Sequence, residues 1–376
     1  MSSASQADRV DAAASGAALR LDHVTKSYGA KTALDDVSLS VPDDAYVTLL
    51  GASGAGKTVL LRTIAGFESL DRGAIVLKGK SLDGVAAHRR GIGFVFQNFA
   101  LFPHLNVFEN VAFGPRNADG RGRHDRTIET KVQTIIDLVG LGGLETRDVS
   151  AISGGQRQRV ALARTLVSEP QLVLLDEPLG ALDANLRTRM CGELRRIRER
   201  LGITFLHVTG SETEALAMGD RVIVLDEGHI AQVDRPDRVY ARPRDARVAR
   251  FLNCYNLIDG RLARGGFEAE GRLLPCAQVG PADAEVYALR QDLITVSAGA
   301  PGGSPEGPRL PATFMASEYS GPAVTSFFRL ESGRIVTVED HLGHREPRTY
   351  DQGSSYDLVW NVEDALILPR RASDGA

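Results

Sequence analysis

A glycine-rich stretch near residue 51 carries the clearest chemical information in the chain. Gly51-Ala-Ser-Gly-Ala-Gly-Lys57-Thr58 fits the pattern G-x-x-x-x-G-K-[ST], and it lies between the apolar run Tyr46–Leu50 and the helix predicted at Val59–Ala65. In this context the loop turns its backbone N–H groups toward phosphate oxygens, and the helix N-terminus adds partial positive charge. Lys57 can reach the outer phosphates and the Thr58 hydroxyl can bind Mg²⁺. The stretch predicts a site for a nucleoside triphosphate.

Two acidic residues follow a second apolar run. Leu172-Val-Leu-Leu175 is typical of a strand that is covered on both faces of a parallel sheet, and Asp176 and Glu177 come directly after it. Open α/β sheets bind their ligands at the carboxyl ends of the strands. We therefore expect Asp176 to orient Mg²⁺, directly or through water. Glu177 is expected to act on the attacking water as its general base or orienting group.

A further glycine-rich loop, Ser153-Gly154-Gly155-Gln156, precedes a helix predicted at Arg157–Leu166. Ser153 suits the N-cap position of that helix, and the two glycines allow the backbone to approach an anion closely. A simple P-loop kinase has no role for such a loop. The loop is therefore evidence against a simple P-loop kinase.

The elements that must position these segments alternate between strand and helix. Continuous apolar runs at Tyr46–Leu50, Leu172–Leu175 and Ile203–Leu206 predict buried strands of a parallel sheet. Alternating runs at Leu19–Val24 and Val37–Val41 predict an antiparallel β layer. The fold class predicted for this part is an α/β P-loop NTPase.

The domain organisation follows from changes in composition along the chain. Residues 19–250 are predicted to form one catalytic α/β domain, with a helical subdomain at about 98–165. From residue 251 to 376, short β-like runs alternate with Gly, Pro and Ser clusters, which favours a small all-β domain. Residues 1–18, rich in Ser and Ala, are predicted to be a disordered leader.

The composition argues against several classes of protein. The 376 residues include 43% hydrophobic and 24% charged residues, as in an ordinary globular protein. The net charge of −4 argues against a protein that coats nucleic acid. No apolar run approaches the roughly 18 residues that span a bilayer. The three widely spaced cysteines form neither a disulfide framework nor a zinc site.

The three motifs together resemble the ATP-binding subunits of ATP-binding cassette (ABC) transporters. The signature of that family is normally Leu-Ser-Gly-Gly-Gln, and this chain has Ile152 in the first place. The resemblance implies an ABC ATPase with a mixed core sheet, an antiparallel β layer and a helical subdomain. It implies that Tyr28 stacks on adenine, that Gln97 senses Mg²⁺ and the γ-phosphate, and that Asp183 works across a dimer.

The resemblance also assigns the residues of an ATP–Mg²⁺ site. The catalytic residues are Lys57, Gln97 and Glu177, and the metal-binding residues are Thr58, Gln97 and Asp176. The nucleotide-binding residues are Tyr28, Gly51, Ala52, Ser53, Gly54, Ala55, Gly56, Lys57, Thr58, Val59, Ser153, Gly154, Gly155, Gln156 and Asp183.

One position departs from the family pattern. Gly210, after Thr209, stands where the family normally has a histidine that holds the γ-phosphate. His207 lies three residues upstream on the predicted strand, where it faces the opposite side, so we interpret it as a packed histidine. We expect nucleotide binding and dimer closure to survive, with hydrolysis slowed or supported by another contact to the γ-phosphate.

The resemblance extends to the partners and to the second domain. Residues 251–376 resemble the TOBE/OB-like regulatory domain of importers for polyamines, ferric iron, sulfate or sugars. Phe99–His104 looks like the segment that faces the permease, although its aromatic residues could equally pack inside the helical subdomain. The longer segment Phe94–His104 is most similar to the polyamine (spermidine/putrescine) subset.

These resemblances imply a peripheral subunit at the cytoplasmic face of the cell membrane. Its partners would be a second copy of itself, two permease subunits and, indirectly, a periplasmic solute-binding protein, with no nucleic acid. The alternative is a nucleotide-binding regulatory ABC protein whose hydrolysis is weak because Gly210 replaces the histidine.

Overall fold

The computed structural model of the chain describes residues 16–118, 126–180, 182–277, 284–298, 308–343 and 345–371. The chain divides into two compact units, Met1–Asp237 and Arg238–Ala376. Residues 1–15 of the predicted leader lie outside the described residues. The first strand begins at Ala17 and Ala18 is fully buried, so the last two residues of the predicted leader belong to a sheet.

The first unit contains an antiparallel sheet of four strands. The strands follow the order β2-β1-β4-β5, with bounds β1 Ala17–Tyr28, β2 Lys31–Pro42, β4 Arg72–Leu77 and β5 Lys80–Ser81. Leu19, Leu21 and Val24 of β1 are buried, whereas the polar residues between them are exposed or half-buried. This alternation is what a sheet with one covered face requires, and it confirms the predicted antiparallel layer.

A mixed sheet of six strands forms the centre of this unit. Its order is β10-β9-β3-β8-β7-β6, with bounds β3 Tyr46–Leu50, β6 Ile92–Val95, β7 Leu172–Asp176, β8 Thr204–Thr209, β9 Arg221–Asp226 and β10 His229–Asp234. Only β10 pairs in the antiparallel sense. Leu172 and Leu174 share a core with the antiparallel layer, whereas Val173 and Leu175 share a core with the helices. Both faces are therefore covered, which explains the continuous apolar runs.

The helices are placed by their caps and by their apolar faces. Their bounds are α1 Lys57–Ala65, α2 Val107–Ala118, α3 Arg126–Leu138, α4 Gly154–Leu166, α5 Ala184–Leu201, α6 Glu212–Met218, α7 Pro236–Ala241 and α8 Ala246–Phe251. Ser153, Asp183 and Ser211 accept hydrogen bonds at the N-termini of α4, α5 and α6. Within the described residues, no helix is both long enough and apolar enough to cross a membrane.

The second unit is built mainly of antiparallel strands. They form the sheets β11-β15-β21, β12-β13-β14 and β16-β20-β17-β18-β19. Their bounds are β11 Tyr255–Asp259, β12 Arg261–Ala263, β13 Gly266–Ala269, β14 Arg272–Leu274, β15 Ala284–Arg290, β16 Thr295–Ala298, β17 Arg309–Tyr319, β18 Ala323–Arg329, β19 Ile335–His341, β20 Ser355–Val359 and β21 Ala365–Pro369. Phe267, Tyr287, Phe328 and Trp360 lie in one core, where the Trp360 indole donates to the Tyr287 hydroxyl at 2.9 Å. The β-rich C-terminal fold is confirmed.

Candidate active site

The loop Gly51–Gly56 joins β3 to α1 and forms the centre of the candidate site. Gly56 directly precedes α1 with a φ of 103°, a left-handed conformation that glycine adopts readily. A Cβ atom at Gly51 would lie 2.4 Å from the carbonyl oxygen of Leu225, so glycine is required there for packing. No side chain caps the start of α1, and the N–H groups of its first turn are therefore available to an anion.

Lys57 lies at the start of α1 with its side chain turned back into this loop. Its Nζ donates to the carbonyl oxygens of Gly51 at 2.8 Å and Ala52 at 3.0 Å. The same nitrogen is 3.8 Å from Oε1 of Glu177. Because Lys57 is only 6% exposed, its charge is held in a partly desolvated place, where it attracts an anion more strongly than in water.

Asp176 lies at the carboxyl end of β7, beside the start of α1. The Thr58 hydroxyl donates to Oδ1 of Asp176 at 3.3 Å. Burial raises the pKa of Asp176, and the hydrogen bond from Thr58 acts in the opposite direction. A hydroxyl and a carboxylate in this arrangement are the oxygen ligands that Mg²⁺ prefers.

Glu177 and Gln97 meet at the same edge of the central sheet. The Gln97 side-chain amide donates to Oε2 of Glu177 at 3.1 Å. The backbone of Glu177 has a φ of 44°, and its N–H donates to the carbonyl oxygen of Val208 on β8 at 3.0 Å. A left-handed glutamate is a strained residue that the surrounding structure must hold in place. Lys57, Gln97 and Glu177, which are far apart in sequence, are thus brought together.

The loop Ser153–Gln156 is organised around the start of α4. The backbone N–H of Gln156 donates to the Ser153 hydroxyl at 3.3 Å, and the Ser153 N–H donates to the Gln156 side-chain oxygen at 2.8 Å. This reciprocal pair is a capping box, so the predicted cap at Ser153 is confirmed. In the part of the chain that the structure describes, none of the hydrogen bonds of this loop reaches Gly51–Val59.

Tyr28 and Asp183 lie at the end of a strand and at the start of a helix, respectively. Tyr28 ends β1 with 47% of its surface exposed, and its hydroxyl donates to Glu68. The Lys26 ammonium lies 5.3 Å from the centroid of its ring, so a planar base would stack on the other face. Asp183 accepts a hydrogen bond from the Leu186 N–H at 2.9 Å, which makes it the N-cap of α5.

His207 is buried, whereas Gly210 lies at the surface of the first unit. His207 is fully buried on β8, where its Nδ1 is 3.0 Å from the Tyr46 hydroxyl. Burial lowers the pKa of His207 to about 3, so the ring is neutral near pH 7. Its interpretation as a packed histidine is confirmed. Gly210 is exposed, and a Cβ atom there would meet no atom within 4 Å.

An apolar groove of about 680 Å³ lies on the first unit. Its aromatic lining comes from β6, α2 and the adjoining loops and consists of Phe67, Phe94, Phe96, Phe102 and Phe113. Within the segment Phe99–His104, Phe102 lines the groove, whereas Phe99 is 9% exposed and packs in the helical core. Phe99 thus packs inside the helical subdomain, as the second interpretation expected, whereas the permease-facing role stays a prediction for Phe102.

Sequence reasoning missed two polar residues that shape the loop after Gln97. Arg164 of α4 donates to the carbonyl oxygens of Phe99 and Ala100. Asn110 of α2 is fully buried, and its side chain bonds both the N–H and the carbonyl of Phe102. The sequence offers no signal for these contacts, since an Arg or Asn within a helix is usually solvated.

Comparison with known proteins gives matches in both units. Residues 34–180 match the ABC transporter family and residues 287–368 match the TOBE domain family. The chain is 47% identical over 352 residues to the sulfate/thiosulfate import ATP-binding protein CysA of Burkholderia pseudomallei, covering 92% of this chain and 95% of that protein. It is 43% identical over 290 residues to the spermidine/putrescine import ATP-binding protein PotA of Desulfitobacterium hafniense, covering 74% of this chain and 82% of that protein.

A solved structure extends the comparison to the nucleotide-bound state. It is a dimeric ATP-binding cassette in a post-hydrolysis state, bound to ADP and Pi. The chain is 27% identical to that protein and aligns with a TM-score of 0.52, covering 58% of this chain and 98% of that one.

Proposed function

The chain belongs to the family of ATP-binding subunits of ABC importers with a C-terminal TOBE domain, it is an ATPase, and we propose that it powers solute import through a membrane permease. The observation that carries the proposal is the meeting of Lys57, Gln97 and Glu177 beside the loop Gly51–Gly56. This arrangement puts a cation, an amide and a carboxylate where the outer phosphates of a bound ATP would lie.

Mg²⁺ fits the side chains that are present. Thr58 and Asp176 offer a hydroxyl and a carboxylate oxygen 3.3 Å apart. Gln97, whose amide nitrogen bonds Glu177, the residue after Asp176, offers an amide oxygen. Burial raises the pKa of Asp176, and a divalent cation would offset that effect by stabilising the ionised carboxylate. When bound, Mg²⁺ would neutralise charge on the phosphates.

The protein side chains would divide the remaining chemistry. Lys57 would transfer its hydrogen bonds from two loop carbonyls to the β- and γ-phosphates. Glu177 would accept a proton from the attacking water or orient it, and Gln97 would fix the position of Glu177 through their hydrogen bond.

Two copies of the chain would enclose two ATP molecules. Each ATP would lie between Gly51–Val59 and Tyr28 of one copy and Ser153–Gln156 of the other, with Asp183 at the boundary. The capping box supports this role, because it leaves the glycine N–H groups at the start of α4 free to bind an anion from outside the chain. The dimeric state of the related cassette that binds ADP and Pi also supports it.

The aromatic groove would bind the permease. Phe67 and Phe113 of this groove are exposed, and exposed apolar side chains that form one patch are characteristic of a protein–protein contact. The loop that begins at Gln97 lines the groove through Phe102. We assign the chain to the cytoplasmic face of the cell membrane as a peripheral subunit. It would work with two permease subunits, and indirectly with a periplasmic solute-binding protein.

The solute is assigned to polyamines by the resemblance of Phe94–His104, and the relatives include both polyamine and sulfate import proteins. Uptake of radiolabelled spermidine and of sulfate is the test, in a host strain that lacks the gene for this chain. The wild-type chain should restore uptake of spermidine, and Glu177→Gln should not. Restoration of sulfate uptake alone would overturn the polyamine assignment. Failure to restore uptake of spermidine, sulfate, ferric iron and sugars, each measured in the same way, would overturn import.

The alternative of a regulatory protein with weak hydrolysis has no support from the relatives. Those reported above are named as import ATP-binding proteins. The effect of Gly210 on the hydrolysis rate is a separate question.

A further inference from the structure

The loop that follows Gln97 contains two strained residues in succession. Phe99 has a φ of 63° and Ala100 a φ of 46°. Left-handed backbone is unfavourable for residues with a Cβ atom, and two such residues in a row persist only where the surroundings hold them. The tight turn is closed by hydrogen bonds from the Phe99 N–H to Phe96 O at 2.9 Å and from the Ala100 N–H to Asn98 O at 2.8 Å.

One side chain holds both strained residues. Arg164 donates from Nη1 to the carbonyl oxygen of Ala100 at 2.7 Å and from Nη2 to that of Phe99 at 2.9 Å. Its guanidinium also lies 5.4 Å from the ring centroid of Phe102. Hydrogen bonds from a charged donor are stronger than neutral ones, and two parallel N–H groups fix the direction of both carbonyls.

The strained turn at Phe99 and Ala100 connects Gln97, which contacts Glu177, to the aromatic groove. Gln97, two residues before Phe99, donates to Glu177 at 3.1 Å. Phe102, two residues after Ala100, lines the groove and is fixed separately by Asn110. A change of backbone conformation at Phe99 and Ala100 would therefore move Gln97 relative to Glu177 while Phe102 stays in place.

We propose that Arg164 is a positioning residue for hydrolysis, which keeps Gln97 against Glu177 by holding Phe99 and Ala100 in left-handed backbone. The proposal rests on the proposed roles of Gln97 and Glu177. The proposal implies that hydrolysis requires Arg164 because the left-handed backbone at Phe99 and Ala100 is strained. Glycine at position 100 adopts the same backbone without a steric penalty, so it should make Arg164 less important.

The test is a double-mutant cycle on the full-length protein, measured as kcat and KM for ATP hydrolysis with Mg²⁺. Arg164→Lys keeps the charge but loses the paired contact, and kcat should fall about tenfold. KM for ATP should change less than about twofold, because the loop Gly51–Gly56 is untouched. In an Ala100→Gly background the same substitution should lower kcat only about threefold.

Two controls distinguish an effect of backbone strain on kcat from a general loss of activity caused by substitution. Ala86→Gly changes an exposed alanine with an ordinary φ of −63°, and in that background Arg164→Lys should still cost about tenfold in kcat. Arg159→Lys alters another arginine of α4, one that pairs with Glu193, and it should leave kcat unchanged. An equal loss from Arg164→Lys in the wild-type, Ala100→Gly and Ala86→Gly backgrounds overturns the proposal.

A third variant separates this proposal from the proposed function. Gln97→Ala should lower kcat at least as much as Arg164→Lys does. If Gln97→Ala leaves kcat unchanged, the role assigned to Gln97 is wrong and the role of Arg164 falls with it. If Gln97→Ala lowers kcat and Arg164→Lys does not, only the inference about Arg164 is wrong.

Discussion

Replacing Gly210 by histidine tests what the missing imidazole costs this enzyme. The sequence pattern around Thr209 predicts that this residue stands where related ATPases normally have a histidine that holds the γ-phosphate. A Cβ atom at this position meets no atom within 4 Å, and φ lies outside the left-handed region. The backbone therefore does not require glycine, and a Cβ atom can be added without displacing a neighbour.

The expected gain follows from a new hydrogen bond and a side chain that must be ordered. A hydrogen bond to a charged group contributes about 1.5–3 kcal/mol. Fixing the rotamers of an exposed histidine costs about 0.5–1.5 kcal/mol. The midpoints of the two ranges leave a net gain of about 1.2 kcal/mol, which corresponds to a rise in kcat of about 5- to 10-fold when the new hydrogen bond is made only in the transition state.

The assay is steady-state ATP hydrolysis with Mg²⁺ at saturating ATP. Gly210→His should raise kcat in that range, and KM should change little. Gly192→His is the matched control, since Gly192 is exposed on α5 and a Cβ atom there also meets no atom within 4 Å. It should leave kcat unchanged. No gain from Gly210→His, or an equal gain from both variants, refutes the reasoning.

Two more predictions concern Tyr28 and His207. Tyr28→Ala should raise KM for ATP about tenfold, because base stacking contributes about 1–3 kcal/mol, while Tyr28→Phe should not; equal effects of the two substitutions contradict adenine stacking. His207 has a pKa of about 3, below the ordinary 6.5, so between these values the unfolded chain binds a proton that the folded chain does not. The free energy of unfolding should therefore fall by about 1.4 kcal/mol from this group between neutral pH and pH 5.5. Urea unfolding of His207→Gln should lack this part of the pH dependence, and an unchanged pH dependence contradicts the burial argument.

Local sequence patterns were sufficient for the elements that carry the nucleotide site. The continuous apolar run before Asp176 predicted a strand buried on both faces, and the capping preference of Ser153 predicted the start of α4. These features depend on neighbours in sequence, such as the strand before a loop or the hydroxyl at a helix terminus. The glycine-rich motif that begins at Gly51 likewise lies between a strand and a helix that are predicted from the adjoining sequence.

Contacts between distant parts of the chain could not be predicted in the same way. The pair Lys57–Glu177 joins the start of α1 to the residue that follows β7, and Arg164 holds carbonyls of Phe99 and Ala100 on another segment. Such contacts depend on tertiary packing, which single-residue preferences do not encode. The division of Phe99 and Phe102 between core and groove has the same origin, because it depends on the left-handed backbone at Phe99 and Ala100 and on contacts from Arg164 and Asn110.

Single-turnover hydrolysis of ATP by the wild-type chain and by Glu177→Gln tests the central claim most directly. Both proteins should bind ATP with similar affinity, because Lys57 and the loop Gly51–Gly56 remain intact. The wild type should convert its bound ATP to ADP and phosphate. Glu177→Gln should retain its ATP, with a rate reduced at least about 100-fold, since a positioned general base contributes about 10²–10⁴-fold. Hydrolysis by Glu177→Gln at the wild-type rate would contradict the account.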